Sequence, residues 1–208
     1  MPLYDATLPL HEGMLTFPGD PQFTMESVFS TQSGDRFNLA LMSIGTHLGT
    51  HVDPPTHYLE GTATADQIPL STLIGPGVVL DLRGAKTIGR SELEAAPLED
   101  HPRVLFKTDN GPRLRGPAFT EDYVYLSDDG AEFLVEKGVV LAGIDYLSIE
   151  KYDNPGAPVH RRLLSAGMLV VEGVDLLDVP AGPCKIYCLP LRIRGGDGAP
   201  ARVLIETP

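Results

Sequence analysis

Short apolar runs separated by glycines and prolines fill most of this sequence. The chain has 22 glycines and 19 prolines among 208 residues. This pattern is typical of many short strands joined by turns, and not of a helix bundle. The run Val139–Ile144 is continuously apolar, which indicates a strand covered on both faces. The predicted strands are Val78–Leu82, Val104–Lys107, Val139–Ile144, Met168–Val171, Lys185–Ile193 and Val203–Ile205.

Three segments between these runs carry the start and stop signals of helices. A serine or a first-turn proline marks each start, and a glycine or proline marks each end. The predicted helices are Glu92–Ala96 capped by Ser91, the segment from Ser127 to Gly138, and His160–Ala166 preceded by Pro158. Helices between strands predict an α/β fold: one domain over residues 1–208, with a mixed β-sheet of many short strands flanked by a few helices. The polar segment Leu8–Asn38 is interpreted as loop or irregular strand near a site or interface.

Composition restricts the partners of the chain. The formal net charge of −12 repels phosphate backbones and anionic lipid, so neither nucleic acid nor a membrane is an expected partner. The chain begins without a basic or apolar leader, and its apolar runs are far shorter than the roughly 20 residues of a membrane span. Cys184 and Cys188 would lie about 13 Å apart on a strand, too far for a disulfide. Two free thiols suit a reducing cytoplasm, the predicted location.

The most informative stretch contains three of the six histidines within eleven residues, His47, His51 and His57, together with Asp53. Two adjacent prolines follow Asp53 and make a regular helix implausible. A fully extended strand would separate the imidazoles of His47 and His51 by about 13 Å, so they could not share a metal. A tight turn at Gly49-Thr50 removes both difficulties, because it lets His47, His51 and Asp53 converge on one point.

These residue types indicate a metal with free coordination positions. Two imidazoles and a carboxylate suit Zn²⁺, Mn²⁺ or Fe²⁺, and such a cation lowers the pKa of a bound water toward about 7. His57 lies four residues beyond Asp53. It is either a fourth ligand or a free imidazole that acts as general acid and base. A single loop histidine is usually only a polar residue hydrogen-bonded to the backbone. Three histidines and an aspartate in a loop stiffened by prolines favour a metal site instead.

The cluster resembles the signature of the cyclase-like metal-dependent hydrolase family, His-x-Gly-Thr-His-x-Asp-x-Pro-x-His. Every position of that motif is met within 47–57. The family includes bacterial kynurenine formamidases (arylformamidases), isatin hydrolases and proteins described as polyketide cyclases. The similarity continues in Phe17-Pro18-Gly19-Asp20, where the family has a pocket-lining aromatic residue, and in Asp197-Gly198-Ala199-Pro200-Ala201-Arg202. It therefore implies that Phe17 binds substrate.

Two further ligands follow from the resemblance only. The segments around His160 and Glu172 are similar to family segments that carry metal ligands. Taken alone, the sequence favours His160 as a surface residue and Glu172 as a solvated strand end. The resemblance implies a binuclear site in which Asp53 bridges, with two Zn²⁺ per subunit expected and Mn²⁺ as the alternative metal. It also implies a homodimer or homotetramer.

The function implied is hydrolysis of a small-molecule amide by a metal-bound hydroxide. The leading expectation is an arylformamidase that converts N-formylkynurenine and water to kynurenine and formate, with His57 carrying the proton to the departing nitrogen. The family's formamidases typically carry tryptophan where this chain has Phe17, and the chain contains no tryptophan. Three alternatives remain open: a hydrolase of another small cyclic amide or lactone, similar to isatin hydrolase; a cyclase or dehydratase; and a non-catalytic metal-binding protein.

Overall fold

The computed structural model describes residues 1–98 and 101–208, and a closed sheet organises them. Its strands, with those of two small side sheets, are β1 (Leu3–Asp5), β2 (Thr24–Phe29), β3 (Leu39–Ser43), β4 (His51–Asp53), β5 (Ile74–Asp81), β6 (Thr87–Ile88), β7 (Arg103–Lys107), β8 (Tyr125–Leu126), β9 (Leu141–Ile144), β10 (Leu169–Glu172), β11 (Gly182–Pro190) and β12 (Ala199–Glu206). The helices are α1 (Leu70–Leu73), α2 (Arg90–Ala95), α3 (Gly111–Leu114), α4 (Asp128–Glu136) and α5 (Pro158–Ser165). The predicted α/β class with a mixed sheet of many short strands is confirmed.

Seven strands form a barrel-like ring in the order β4-β10-β9-β7-β5-β11-β12, and β12 pairs back with β4 to close it. Strands β5, β7, β9 and β10 run parallel to their neighbours within that block, while the pairs that involve β11, β12 and β4 are antiparallel. The short strand β1 adds to β12 beyond the ring. Closure matters for the site because it joins β4, from the first quarter of the chain, to strands near the end.

Apolar side chains cover both faces of the parallel block. Successive residues of a strand point to opposite faces, so a strand covered on both sides reads as a continuous apolar run. Val79, Leu105, Leu141 and Val171 face the barrel interior. Leu80, Phe106, Ile144 and Val170 face the layer of helices on the outside. All four residues of β9 are buried, as predicted from its sequence.

The predicted helices are present with adjusted limits. Gly138 adopts φ +69 just after α4, and Pro158 occupies the first turn of α5. The predicted cap of α2 was wrong: Gly89 holds the N-cap position and Ser91 lies inside the helix. The reason is that the Glu92 carboxylate reaches back and accepts the Gly89 N–H at 2.9 Å, which fixes the start of the helix at Gly89.

The observed strand limits differ more from the predicted ones. The run that starts at Val139 enters the sheet only at Leu141, because Val140 N–H donates to Pro102 O outside the ladder. The predicted strand Lys185–Ile193 in fact spans Gly182–Pro190. The segment Leu8–Asn38 is partly regular, since it contains β2, which pairs with β3 in an exposed hairpin. Both cysteines are buried and free, as expected. Within the described residues, no helix combines the length and apolar character needed to cross a membrane.

Candidate metal centre

Strand β4 supplies two side chains of the predicted cluster. Val52 points into the barrel interior, so His51 and Asp53, one residue to either side, point together to the outer face. All three residues are buried. The alternation of a short strand, rather than a turn alone, therefore brings His51 and Asp53 together.

The turn that precedes β4 lies slightly earlier than predicted. Leu48 N–H donates to Gly45 O, and Gly49 follows with a left-handed φ of +66. Gly173 lies against this turn, where a Cβ would approach Gly49 O to 2.3 Å, so only glycine fits. The predicted convergence of His47 with His51 and Asp53 is present, with the His47 and His51 ring centroids 5.1 Å apart.

The neighbouring strand and a helix bring in the two distant residues. In the antiparallel pair β4–β10, Glu172 lies directly opposite His51. Helix α5 packs on β10 and carries His160, which is 3 % exposed, onto the same outer face. Spacing along the chain gives no sign of this proximity, because both residues come more than a hundred positions after β4.

His51, Asp53, His160 and Glu172 form a closed ring in which imidazoles and carboxylates alternate. Nε2 of His51 lies 3.3 Å from Asp53 Oδ1 and 3.5 Å from Glu172 Oε2. Nε2 of His160 lies 3.1 Å from Glu172 Oε1 and 3.6 Å from Asp53 Oδ2. Metal–ligand distances of about 2.0–2.2 Å place neighbouring donors of a tetrahedral site roughly 3.3–3.6 Å apart. The ring therefore has the dimensions of a divalent metal site.

The buried polar atoms of the cluster support this interpretation. Nε2 of His47, Nε2 of His51 and Oδ2 of Asp53 are shielded from solvent, yet they make no hydrogen bond within the described structure. A buried polar atom without a partner costs about 1–3 kcal/mol, so such atoms are rarely grouped without cause. Bound cations would give these atoms the partners that they lack.

The electrostatics of the cluster also favour a cation. Burial opposes protonation of His51, but the negative charges of Asp53 and Glu172 beside its Nε2 outweigh this effect and raise the pKa of His51 to about 10. Burial of Asp53 is likewise outweighed by the surrounding imidazoles, which hold its pKa well below the usual value. Without a metal, the site thus gathers protons to balance its two buried carboxylates, and bound cations would replace them.

His47 and His57 form a second group that shares Asp53. Donor atoms of His47, Asp53 and His57 lie within 4.8 Å of one another, as do those of His51, Asp53 and Glu172. Nδ1 of His47 lies 2.8 Å from Asp53 Oδ1, and the rings of His47 and His57 are 4.0 Å apart. Burial lowers the pKa of His57, which favours its neutral imidazole.

A cavity of about 210 Å³ opens above the cluster. Phe17 lines it, with its ring 5.4 Å from that of Phe119 and 6.0 Å from that of Tyr152. Asp20 and Tyr58 also line it, and sequence reasoning did not select either. Asp20 is the last residue of the motif that begins at Phe17, and Tyr58 follows His57, so position in or beside a motif was the available signal. Burial raises the pKa of Asp20.

Comparisons with known proteins agree with this geometry. The family described as "Putative cyclase" matches residues 4–151. A kynurenine formamidase of Bacillus cereus is 31% identical over 202 residues, which cover 97% of this chain and 96% of that protein. The solved structure of a potential metal-dependent hydrolase with cyclase activity is 34% identical, with a TM-score of 0.86 over 100% of this chain and 99% of that one. Isatin hydrolase A from Ralstonia solanacearum is 26% identical, with a TM-score of 0.83 over 98% of this chain and 91% of its own.

The agreement extends from the sequence to the fold and the cluster. The family match covers well over half of the chain, and the relatives match nearly all of it. Together with the His/Asp/Glu cluster, they show that a divalent metal belongs to this protein. The chain is therefore a member of the Cyclase family of metal-dependent hydrolases.

Proposed function

We propose that this protein is an arylformamidase, which hydrolyses N-formylkynurenine to kynurenine and formate. The observation that carries the proposal is the closed ring of imidazoles and carboxylates at the floor of an aromatic-lined cavity. The full-length similarity to kynurenine formamidase supports the substrate class. We further propose that one domain over residues 1–208 carries this activity, in the cytoplasm and as a homodimer or homotetramer.

The proposed metal ligands are His47, His51, Asp53, His160 and Glu172. These five residues would hold two metals, because Asp53 belongs to both groups of neighbouring donor atoms, and Zn²⁺ would suit these nitrogen and oxygen ligands, with Mn²⁺ as the alternative. Elemental analysis of the purified protein tests the number. We expect about two metals per chain, and about one in Glu172→Gln, because the amide lacks the negative charge that a second cation needs. The exposed Glu136→Gln is the control and should keep both.

The chemistry divides between the metal and the chain's own side chains. When bound, the metal polarises the formyl carbonyl and lowers the pKa of a coordinated water. His57 lies beside the cluster and is proposed to hold the proton taken from that water, then deliver it to the departing aryl nitrogen as the C–N bond breaks. Asp53 orients His47 through its hydrogen bond to Nδ1. The balanced products are a neutral aryl amine and formic acid, which releases its proton to solvent and becomes formate.

The aryl ring of the substrate is proposed to stack on Phe17. The contacts of Phe17 with Phe119 and Tyr152 hold its ring in one orientation, which lowers the entropy lost when a substrate binds. Phe17 is smaller than the tryptophan that is typical of the family's formamidases. The slot should therefore be wider, and it lacks the hydrogen-bond donor of an indole.

A lactam is the second candidate substrate, because the solved isatin hydrolase structure shares the fold at 26% identity. Assays of N-formylkynurenine and isatin, side by side with Zn²⁺-loaded and Mn²⁺-loaded protein, separate the two. We expect the formamide to be hydrolysed faster. Turnover of isatin alone would show that the substrate is a cyclic amide and not an aryl formamide. Turnover of neither by fully loaded protein would exclude both substrates.

The remaining alternatives differ in what happens to water. A cyclase or dehydratase would use the same metal on a polyketide-like ketone, whereas hydrolysis incorporates one oxygen from water into the product. Mass spectrometry of products formed in ¹⁸O-labelled water distinguishes them, and we expect label in formate. A non-catalytic metal-binding protein would show no turnover and no dependence on His57.

A further inference from the structure

One buried carboxylate outside the proposed ligand set contacts the helix that carries His160. Glu150 follows β9 in the loop toward α5 and is only 6 % exposed. Its backbone is held on both sides, because Tyr123 Oη donates to Glu150 O at 2.6 Å and Glu150 N–H donates to Ser148 Oγ at 3.2 Å. Burying a carboxylate costs free energy unless hydrogen bonds compensate, so the contacts of Glu150 indicate its role.

The first set of contacts caps α5. Glu150 Oε2 accepts the N–H groups of Val159 at 3.0 Å and His160 at 3.1 Å. The residue at the N-cap position, Ala157, has no side chain that can accept them. Glu150 therefore takes over this role from outside the helix, where the helix dipole also favours a negative charge. Asn154 Nδ2 donates to the other oxygen, Oε1, at 2.7 Å.

The second contact reaches the His160 ring itself. Nδ1 of His160 lies 3.4 Å from Glu150 Oε2, close enough for a charge contact, and has no hydrogen-bond partner within the described structure. The opposite nitrogen, Nε2, faces Glu172 and Asp53 in the ring of the candidate metal centre. One carboxylate thus bonds the backbone N–H of His160 and faces the imidazole of the same residue.

We propose that Glu150 is a positioning residue for the metal centre. It keeps the His160 proton on Nδ1, so that the Nε2 lone pair points at the metal. The inference rests on the proposed role of His160 as a ligand. Histidine ligands commonly donate their second ring N–H to a carboxylate, which fixes the tautomer and strengthens the ligand. A buried carboxylate that only capped a helix would not need to meet the imidazole as well.

The test compares metal affinity in two variants. Glu150→Gln keeps an acceptor oxygen for α5, and Asn154 can reverse its amide to meet the new NH₂, so the fold should survive while the negative charge is lost. Asn154→Ala is the matched control, because it removes a contact of the same carboxylate and leaves the carboxylate facing His160. Zn²⁺ affinity is measured by competition with a chromophoric chelator, and the Tm of the metal-free protein reports on the cap.

Of the two Zn²⁺ ions, we expect the more weakly bound one to bind Glu150→Gln about 10–100-fold less tightly than the parent. The Tm of the metal-free variant should be close to the parent's. Asn154→Ala should bind Zn²⁺ within about twofold of the parent, since its carboxylate retains the charge. A purely structural role predicts the reverse, with unchanged affinity in Glu150→Gln and a lower Tm in both, and would overturn the inference. The assay contains no substrate, so its result does not depend on whether N-formylkynurenine is the substrate. A parent chain that binds no Zn²⁺ would overturn the proposed function itself, together with this inference.

Discussion

Asp53 is the residue on which the two parts of the site depend. Its Oδ1 contacts both His47 and His51, and its Oδ2 faces His160. Complete burial removes water as a competitor for these contacts, so the carboxylate must be satisfied by imidazoles, protons or metal. This explains how residues from separate segments act as one unit, and why single changes around Asp53 should alter metal binding and catalysis to different extents.

Replacement of His57 separates these two roles. We expect His57→Ala to retain the metal content of the parent but to lower kcat about 10²–10⁴-fold on a verified substrate, because only proton transfer is removed. Elemental analysis and steady-state kinetics measure the two quantities. His11→Ala is the control, since that ring is exposed and hydrogen-bonds the neighbouring Glu12 O. A loss of metal in His57→Ala would make His57 a ligand, and unchanged turnover would remove its assigned role.

Asp145 gives a prediction of pH dependence outside the metal centre. It is buried just after β9, and its oxygens accept Thr108 N–H and Oγ1, each at 2.7 Å. Burial outweighs these bonds and raises the pKa of Asp145 to about 6, above the 3.8 of an aspartate in water. A carboxyl with a raised pKa binds its proton more tightly in the folded state. Its contribution to stability is therefore complete below pH 3.8 and is lost as the pH rises through about 6.

Asp145→Asn removes this titration. Between pH 5 and pH 7.5, the free energy of unfolding of the variant should rise relative to that of the parent by about 1 kcal/mol. Urea denaturation at several pH values measures the difference. Asp122→Asn, which neutralises an exposed carboxylate, should show no such trend. A constant difference between Asp145→Asn and the parent across this range would contradict the raised pKa.

At the scale of elements, the pair β4–β10 builds the candidate metal centre. Register places Glu172 opposite His51, and α5 lies over β10 with His160. The parallel strands could be predicted from the sequence because both of their faces are apolar, which leaves long apolar runs. Strand β4 has a single apolar residue between two polar ones, and its neighbours come from the far end of the chain. No local pattern records such pairing, so His160 and Glu172 were accessible only through family resemblance.

The connection between α1 and the barrel depends on a buried arginine at the start of β7. Arg103, 5 % exposed, donates through Nε to Thr72 O at 2.8 Å, through Nη1 to Pro76 O at 3.1 Å, and also to Ser71 O. The guanidinium lies against Gly75, where a Cβ would come within 2.6 Å of Nη1. Arg103 therefore satisfies the carbonyl oxygens at the end of α1 and the beginning of β5.

Arg103→Met should fill the volume but leave these oxygens without a donor. We expect the free energy of unfolding to fall by about 2–4 kcal/mol, since each unsatisfied buried group costs about 1–3 kcal/mol and part of that cost is relieved by water. Arg113→Met is the control, because that guanidinium pairs with exposed Asp122, and it should lose about 0–1 kcal/mol. Urea denaturation at neutral pH measures both. Equal losses in the two variants would show that the buried contacts of Arg103 contribute nothing beyond those of a surface ion pair.

At the scale of the whole molecule, the hairpin β2–β3 is exposed to solvent, whereas the closed barrel has a buried core. Every residue of its two strands is exposed, including Met25 at 58 %, Leu41 at 64 % and Met42 at 55 %. A two-stranded hairpin is only marginally stable by itself, and an apolar one exposed to water is less so. At its base, Met42 also lines an apolar groove of about 550 Å³ with Leu189 and Leu191. These exposed apolar surfaces support the proposed homo-oligomer.

A second copy of the chain is the expected occupant, since closed two-fold pairing buries the same apolar patch on both subunits. Leu41→Asp places a charge on the hairpin without touching the barrel, so its partner-free form should remain folded. Light scattering coupled to size exclusion should give at least twice the 22.4 kDa chain mass for the parent and a single chain mass for Leu41→Asp. Leu70→Asp is the matched control, because Leu70 is 72 % exposed on α1 and away from the hairpin, and it should behave as the parent. A monomeric parent at micromolar concentration would contradict the oligomer, whereas an oligomeric Leu41→Asp would place the interface on another surface.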